Sequence, residues 1–133
     1  MKTNYETRGH AWIAKKKKTK SVKPTKSQLK KKADKLFSLL IRKRGSCERC
    51  LNTKDLQAAH MITRANLRLR YDTRNVRCLC KGCHFYMHHH SMEFFDWYNV
   101  VYKDEAEYIR EHRNEIRKMR IEDYEKLIKK LSK

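Results

Sequence analysis

Two Cys-x-x-Cys pairs, Cys47/Cys50 and Cys80/Cys83, bracket a segment whose only histidine is His60 and which also carries Asn75. Each pair offers two sulfurs from one tight turn, so together they supply the four thiolates of a tetrahedral structural zinc site. The 29 residues between the pairs exceed the roughly 15–20 of a simple zinc ribbon, so an insert must fold between the knuckles. Cys78 is the surplus thiol. It could compete with Cys80, but Cys80-x-x-Cys83 repeats the spacing of the first knuckle. Directly after the last cysteine come His84 and His88, four residues apart, so on a helix both rings can meet one ion. His60 lies outside the thiolate set. A lone histidine on an apolar strand is often structural, yet a neutral imidazole can also take a proton from water, the step that nucleic-acid hydrolysis requires. His88-His89-His90 cannot place all three rings on one helix face, so at most one or two serve a site, and the run can also be read as merely polar.

These residues need elements to hold them. Leu29, Ala33, Leu36, Phe37, Leu40 and Ile41 recur at three- and four-residue spacing, which predicts a helix from about Thr25 or Ser27 to Arg44, with Ser27 as a candidate N-cap and Gly45 as a stop. Leu56 to Ile62 reads as a strand carrying His60, and Thr63 to Arg70 as a loop. Asp72 to Asn75 reads as a turn and Val76 to Leu79 as a second strand, with a helix beginning near Cys83 or His84. Asn75 opens the second strand, where its side chain could brace the loop behind His60. Residues 91–133 contain helix formers and no Gly or Pro. Phe94, Phe95, Trp97, Tyr98, Val101 and Tyr102 form an aromatic patch. An apolar stripe then runs from Ile109 to Leu131, in a helix broken near Arg120. That stripe either packs on the domain or forms a homodimer face.

The chain has 133 residues, a formal net charge of +19 and 37% charged residues, with a mean hydropathy of −0.98. So polar a chain has little core to rely on, and a metal is the obvious staple. Residues 1–90 hold 24 Lys/Arg against 5 Asp/Glu, whereas residues 91–133 hold 10 of each. The positive field belongs to the first part and points to nucleic acid. Residues 1–26 are expected to be a disordered basic arm, 27–90 the core and 91–133 a helical extension. Lys15, Lys16, Lys17 and Lys18 of the arm either follow phosphates or form a solvated tail or nuclear-localisation signal. Arg64, Arg68, Arg70 and Arg74 are the other cations offered to nucleic acid. No apolar run approaches the ~18 residues of a membrane span, and the N-terminus lacks a signal-peptide stretch. A reducing cytoplasm also suits thiolate ligation better than disulfides.

The order Cys-x-x-Cys, His, Asn, Cys-x-x-Cys-His over residues 47–88 resembles the HNH, or ββα-metal, endonucleases with a four-cysteine zinc. DKLFSLLIRKRGSCERC, AAHMITR and LRYDTRNVRCLCKGC are similar to phage NinG (Rap) recombination nucleases, over roughly residues 30–110. The resemblance implies an α+β, mostly helical fold: a ββα-metal core stapled by zinc and flanked by N- and C-terminal helices. It also implies His60 as the general base, Asn75 as the residue that orients it, and His84 and His88 as ligands of a catalytic Mg²⁺ or Mn²⁺. Many HNH enzymes place an Asp or His ligand immediately before the base, where this chain has Ala59. The implied substrate is branched DNA such as Holliday junctions and displaced loops, cut in the host cytoplasm if the chain is phage-encoded. Two rivals share these features: an HNH nicking or homing nuclease on duplex DNA, and a non-catalytic zinc-stabilised nucleic-acid-binding protein. The second has no use for His60, Asn75 and His84 in register.

Overall fold

The computed structural model describes residues 22–133, an α+β arrangement that is mostly helical. Helix α1 spans Lys26–Arg42. Its N-cap is Thr25 rather than Ser27: the Thr25 hydroxyl accepts from the Gln28 amide at 3.2 Å, and Gln28 Oε1 accepts from the Thr25 amide at 2.8 Å. This reciprocal pair satisfies two amides that the helix start would otherwise strand. Leu29, Ala33, Phe37 and Ile41 form the buried stripe. The helix ends before Gly45, whose φ of 88° is the left-handed conformation that glycine adopts without a Cβ penalty.

Strands β1 (Leu56–His60) and β2 (Val76–Cys80) pair antiparallel, with His60 opposite Val76 and Leu56 opposite Cys80. Alternation puts Leu56, Ala58, Val76 and Cys78 against Phe37 and Ile41 of α1. The opposite face, with Ala59 and Leu79, joins a second core that includes Met61, Met87, Phe94 and Tyr98. Between the strands lie a short helix, α2 (Leu67–Arg70), where a loop is expected from the sequence, and a single 3₁₀ turn at Thr73–Asn75. Asn66 starts α2 by accepting from the Leu69 amide at 3.2 Å.

After β2 come α3 (Lys81–His89), α4 (Ser91–Val101), α5 (Lys103–His112) and α6 (Ile121–Leu131). The extension thus breaks at Tyr102 as well as before Arg120, and no Gly or Pro marks either point. The break at Tyr102 lets its ring stack with Tyr98 at 5.8 Å and lie under the Arg77 guanidinium at 4.5 Å. Helix α6 folds back on α1, burying Tyr124, Ile128 and Met119 with Leu29 and Ala33. The apolar stripe of residues 109–131 is thereby used largely within the chain. No helix among the described residues is long and apolar enough to cross a membrane. The lysines at 15–18 and most of the expected basic arm lie outside the described residues.

Candidate metal centre and reactive cleft

The Sγ atoms of Cys47, Cys50, Cys80 and Cys83 all lie within 4.8 Å of one another. Cys50 and Cys80 stand 3.6 Å apart, too far for a disulfide. Four sulfurs at about 2.3 Å from a tetrahedral zinc would stand about 3.8 Å apart, so the donor set fits that ion. The knuckle turns are closed by backbone. Leu51 N–H donates to Cys47 C=O at 2.9 Å, Cys47 N–H to Asn52 C=O at 2.7 Å, and Cys83 N–H to Cys80 Sγ at 3.5 Å. Burial raises the Cys47 thiol, but backbone N–H groups of Cys80, Cys50 and Arg49 outweigh it and bring it down to about 7. Burial and the neighbouring sulfurs push Cys83 up to about 12, although Arg49 opposes them. Four crowded thiols can all ionise only if a cation compensates, which a divalent metal does. Cys78 is not a member: it is buried beside Phe37 and Ile41 on the α1 face.

Glu48, inside the first knuckle, ties it to the sheet. Its carboxylate accepts from the Cys78 amide, from Arg77 at 3.2 Å and from Arg44 at 3.0 Å. Arg77 is 5% exposed, so its charge needs this partner.

His60, His84 and His88 line one cleft of about 440 Å³ between α1, β1 and α3, together with Asp34, Ser38 and Arg64. The His60 ring is fixed by a 2.9 Å bond between Nε2 and the Arg70 carbonyl. A carbonyl only accepts, so Nε2 carries the proton and Nδ1 keeps the lone pair. Burial lowers the His60 pKa below the ordinary imidazole value. The charges of Arg64 and Arg70 add to the shift, against the bond to Arg70 C=O. The ring is therefore neutral near pH 7. His84 Nδ1 stands 2.7 Å from Gln57 Oε1, which makes Nδ1 the donor and leaves Nε2 free to ligate. Burial, then the adjacent His88, lowers the His84 pKa and keeps that nitrogen unprotonated. His84 and His88 lie 5.0 Å apart between ring centroids. His89 and His90 stack instead on Phe85 and Tyr86, at 3.9 and 4.8 Å, so one ring of the histidine run joins the cleft.

Asn75 stands behind this wall. Its Oδ1 accepts from the Ile62 amide at 2.8 Å, and its Nδ2 donates to Ile62 C=O at 3.0 Å and Leu69 C=O at 3.2 Å. It clamps the chain that leaves β1 after His60. Ala59 is fully buried on the opposite face of β1, where a charged ligand would sit among apolar side chains.

Of the arginines, Arg64 is exposed at the cleft. Arg70 is turned inward and is not offered to a partner: Asp34 takes its Nε at 2.9 Å and Nη2 at 2.6 Å, while Nη1 donates to Arg64 C=O at 2.7 Å. The Tyr71 hydroxyl donates to the same carboxylate at 2.7 Å. Arg68 and Arg74 gather around Tyr108, away from the cleft, both paired to Asp72. Asp34, Gln57 and Glu48 are the residues that sequence reasoning missed. Of these only Asp34 left a trace, as the sole acid on the basic face of α1.

The chain gives no match to known protein-family models, to curated proteins or to solved structures. The class defined by fold and site is an α+β, mostly helical protein with a four-cysteine cluster that could hold a structural metal ion.

Proposed function

We propose that this chain is a metal-dependent endonuclease of the HNH type that hydrolyses DNA phosphodiester bonds, with branched recombination intermediates as its substrate class. The observation that carries this reading is the His60 ring, pinned through Nε2–H to a backbone carbonyl and lining the same cleft as His84 and His88. A purely structural histidine would have no need to share a solvent-reached cleft with two further imidazoles and Arg64. In the proposed reaction His60 Nδ1 takes a proton from a water whose oxygen bonds to phosphorus. The bond from phosphorus to the 3′ oxygen breaks, that oxygen takes a proton from solvent water, and His60 later returns its own proton to solvent, leaving a 5′-phosphate and a 3′-hydroxyl. His84 Nε2 and His88 would hold the catalytic cation, which when bound supplies positive charge to the phosphate and to the leaving oxygen. Two imidazoles suit Mn²⁺ better than the harder Mg²⁺. Arg64 would orient the phosphate, and Asn75 and Gln57 hold the two imidazole walls.

The test is cleavage of labelled linear, flapped and four-way DNA with Mn²⁺ or Mg²⁺. His60→Ala is expected to remain folded and to lose roughly 10²- to 10⁴-fold in rate, as for a positioned base. His84→Ala should lose activity that extra metal partly restores. A folded His60→Ala protein cleaving at the parental rate would refute the proposal.

A further inference from the structure

The C-terminal extension is electrically neutral by count, but folding segregates its charges. Arg117, Lys126 and Lys130 line a second cleft of about 480 Å³, facing Arg68 and Arg74 from the segment between the strands. The two carboxylates in its wall are already engaged. Asp72 pairs with Arg74 at 3.0 Å and Arg68 at 3.6 Å, and Asp123 accepts from the Arg120 amide at 2.8 Å. Arg117, Lys126 and Lys130 are exposed and form no ion pair among the described residues. Like charges converging on one concavity repel unless an anion enters it. Lys126 and Lys130 stand one helical turn apart, about 6 Å along the axis, so each can meet a different charge of a polymer. The Arg68 and Arg74 guanidiniums in the facing wall are held by Asp72, Glu115 and Tyr108, so Arg117, Lys126 and Lys130 are the cations left for a ligand. No lining residue described for this cleft is shared with the His60 cleft.

We propose that this second cleft binds the phosphodiester backbone of DNA, so that one protein molecule holds its substrate at two separate places. Recognition is by charge and is independent of sequence. That the polymer is DNA, and is also the DNA cut, rests on the nuclease reading above; the binding of a phosphodiester backbone does not.

The experiment compares the full chain with an Arg117→Gln, Lys126→Gln, Lys130→Gln variant. A control of equal charge change is Lys43→Gln, Lys54→Gln, Lys103→Gln, at exposed positions outside the clefts described. Affinity for a labelled DNA duplex is measured by fluorescence anisotropy over a salt series. Each lost phosphate contact flattens the slope of log K against log[salt] by about 0.9. The cleft variant should lose two to three such increments, equally on unrelated sequences, and the control fewer than one. An unchanged slope in the cleft variant, or an equal loss in the control, overturns the proposal. Hydrolysis of bis(p-nitrophenyl) phosphate, too small to reach both clefts, should be unaffected in the cleft variant; selective loss there would assign these cations to the reaction instead and also overturn it. If the parent hydrolyses neither this ester nor DNA, the nuclease reading fails while the anisotropy result still decides the binding site.

Discussion

Asp34→Asn is a near-isosteric change that removes one negative charge. In the parent, the Asp34 carboxylate receives two bonds from Arg70 and one from Tyr71, at 2.6 to 2.9 Å. Arg70 is 7% exposed, so its guanidinium cannot turn to water when the partner charge is lost. Removing one member of a buried ion pair costs about 3–5 kcal/mol. Two features favour the lower end: the Asp34 side chain keeps 24% of its exposure, and Arg70 retains its bond to Arg64 C=O. A loss of about 3 kcal/mol is a large part of the roughly 5–15 kcal/mol that holds a domain together. With a urea slope of about 1–3 kcal/mol/M, the midpoint should fall by about 1–3 M.

The pH dependence of that loss tests its electrostatic origin. Burial raises the Asp34 pKa, but the bonds from Arg70 and Tyr71 outweigh it and hold the carboxyl below its ordinary value. The native state therefore binds this proton more weakly than the unfolded chain does. The stabilisation is fully present above the unfolded value, near 4, and disappears as pH falls through the lower native one. The stability gap between parent and variant should be flat from neutral pH to about 5 and shrink below about 4. A midpoint that does not move at pH 7, or a gap that persists unchanged in acid, would refute the reasoning. The same variant should slow any His60-dependent cleavage, because Arg70 supplies the carbonyl that sets the imidazole.

Zinc removal by a chelator, or Cys47→Ser, should unfold the central unit, since structural zinc contributes on the order of 10 kcal/mol of apparent binding free energy. Cys78→Ala should leave the zinc content at one per chain, and elemental analysis of the folded proteins distinguishes the two cases. For cleavage, the acid limb of kcat/KM should lie below the ordinary histidine value of about 6.5, because burial and then the Arg64 and Arg70 charges lower the His60 pKa. Activity rises with pH through that limb as Nδ1 loses its proton, and Arg64→Gln should move the limb upward. A limb above 6.5 in the parent would contradict the buried, cation-flanked ring.

What could be read from the sequence was whatever rests on spacing. The two cysteine pairs, the α1 stripe and the i, i+4 relation of His84 and His88 follow from knuckle and helix geometry, and the structure brings each set together except for Leu40, which turns off the buried stripe and stays 43% exposed. Partners chosen in three dimensions were not legible. Arg70 looks like one of several cations in a basic loop, yet Asp34, 36 residues earlier on α1, meets it at 2.6 to 2.9 Å and draws it inward. Gln57 and Glu48 follow no period at all; their roles depend on the antiparallel register and on the knuckle packing against β2. The break at Tyr102 escaped for a related reason, since its ring meets Tyr98 and Arg77, contacts set by the tertiary fold and not by spacing along the chain.

The cleft has two walls braced by different means, and this makes their contributions separable. His60 is held from α1 through Asp34, Arg70 and the Arg70 carbonyl, while His84 is held by its position next to Cys83 and by Gln57 Oε1 at 2.7 Å. Gln57→Leu removes the acceptor for His84 Nδ1–H without touching the Asp34 network, so the ring can flip or change tautomer. Losing the partner that orients a ligating histidine typically costs 10–100-fold in metal affinity. Mn²⁺ binding, followed by paramagnetic broadening of the His84 and His88 ring signals, should weaken by about that factor in Gln57→Leu. Asp34→Asn, under conditions where it remains folded, should leave Mn²⁺ affinity within about twofold, because it acts on the opposite wall. If Gln57→Leu binds Mn²⁺ as the parent does, His84 is not the metal-bearing side of the cleft, and the assignment of base and ligand to opposite walls is wrong.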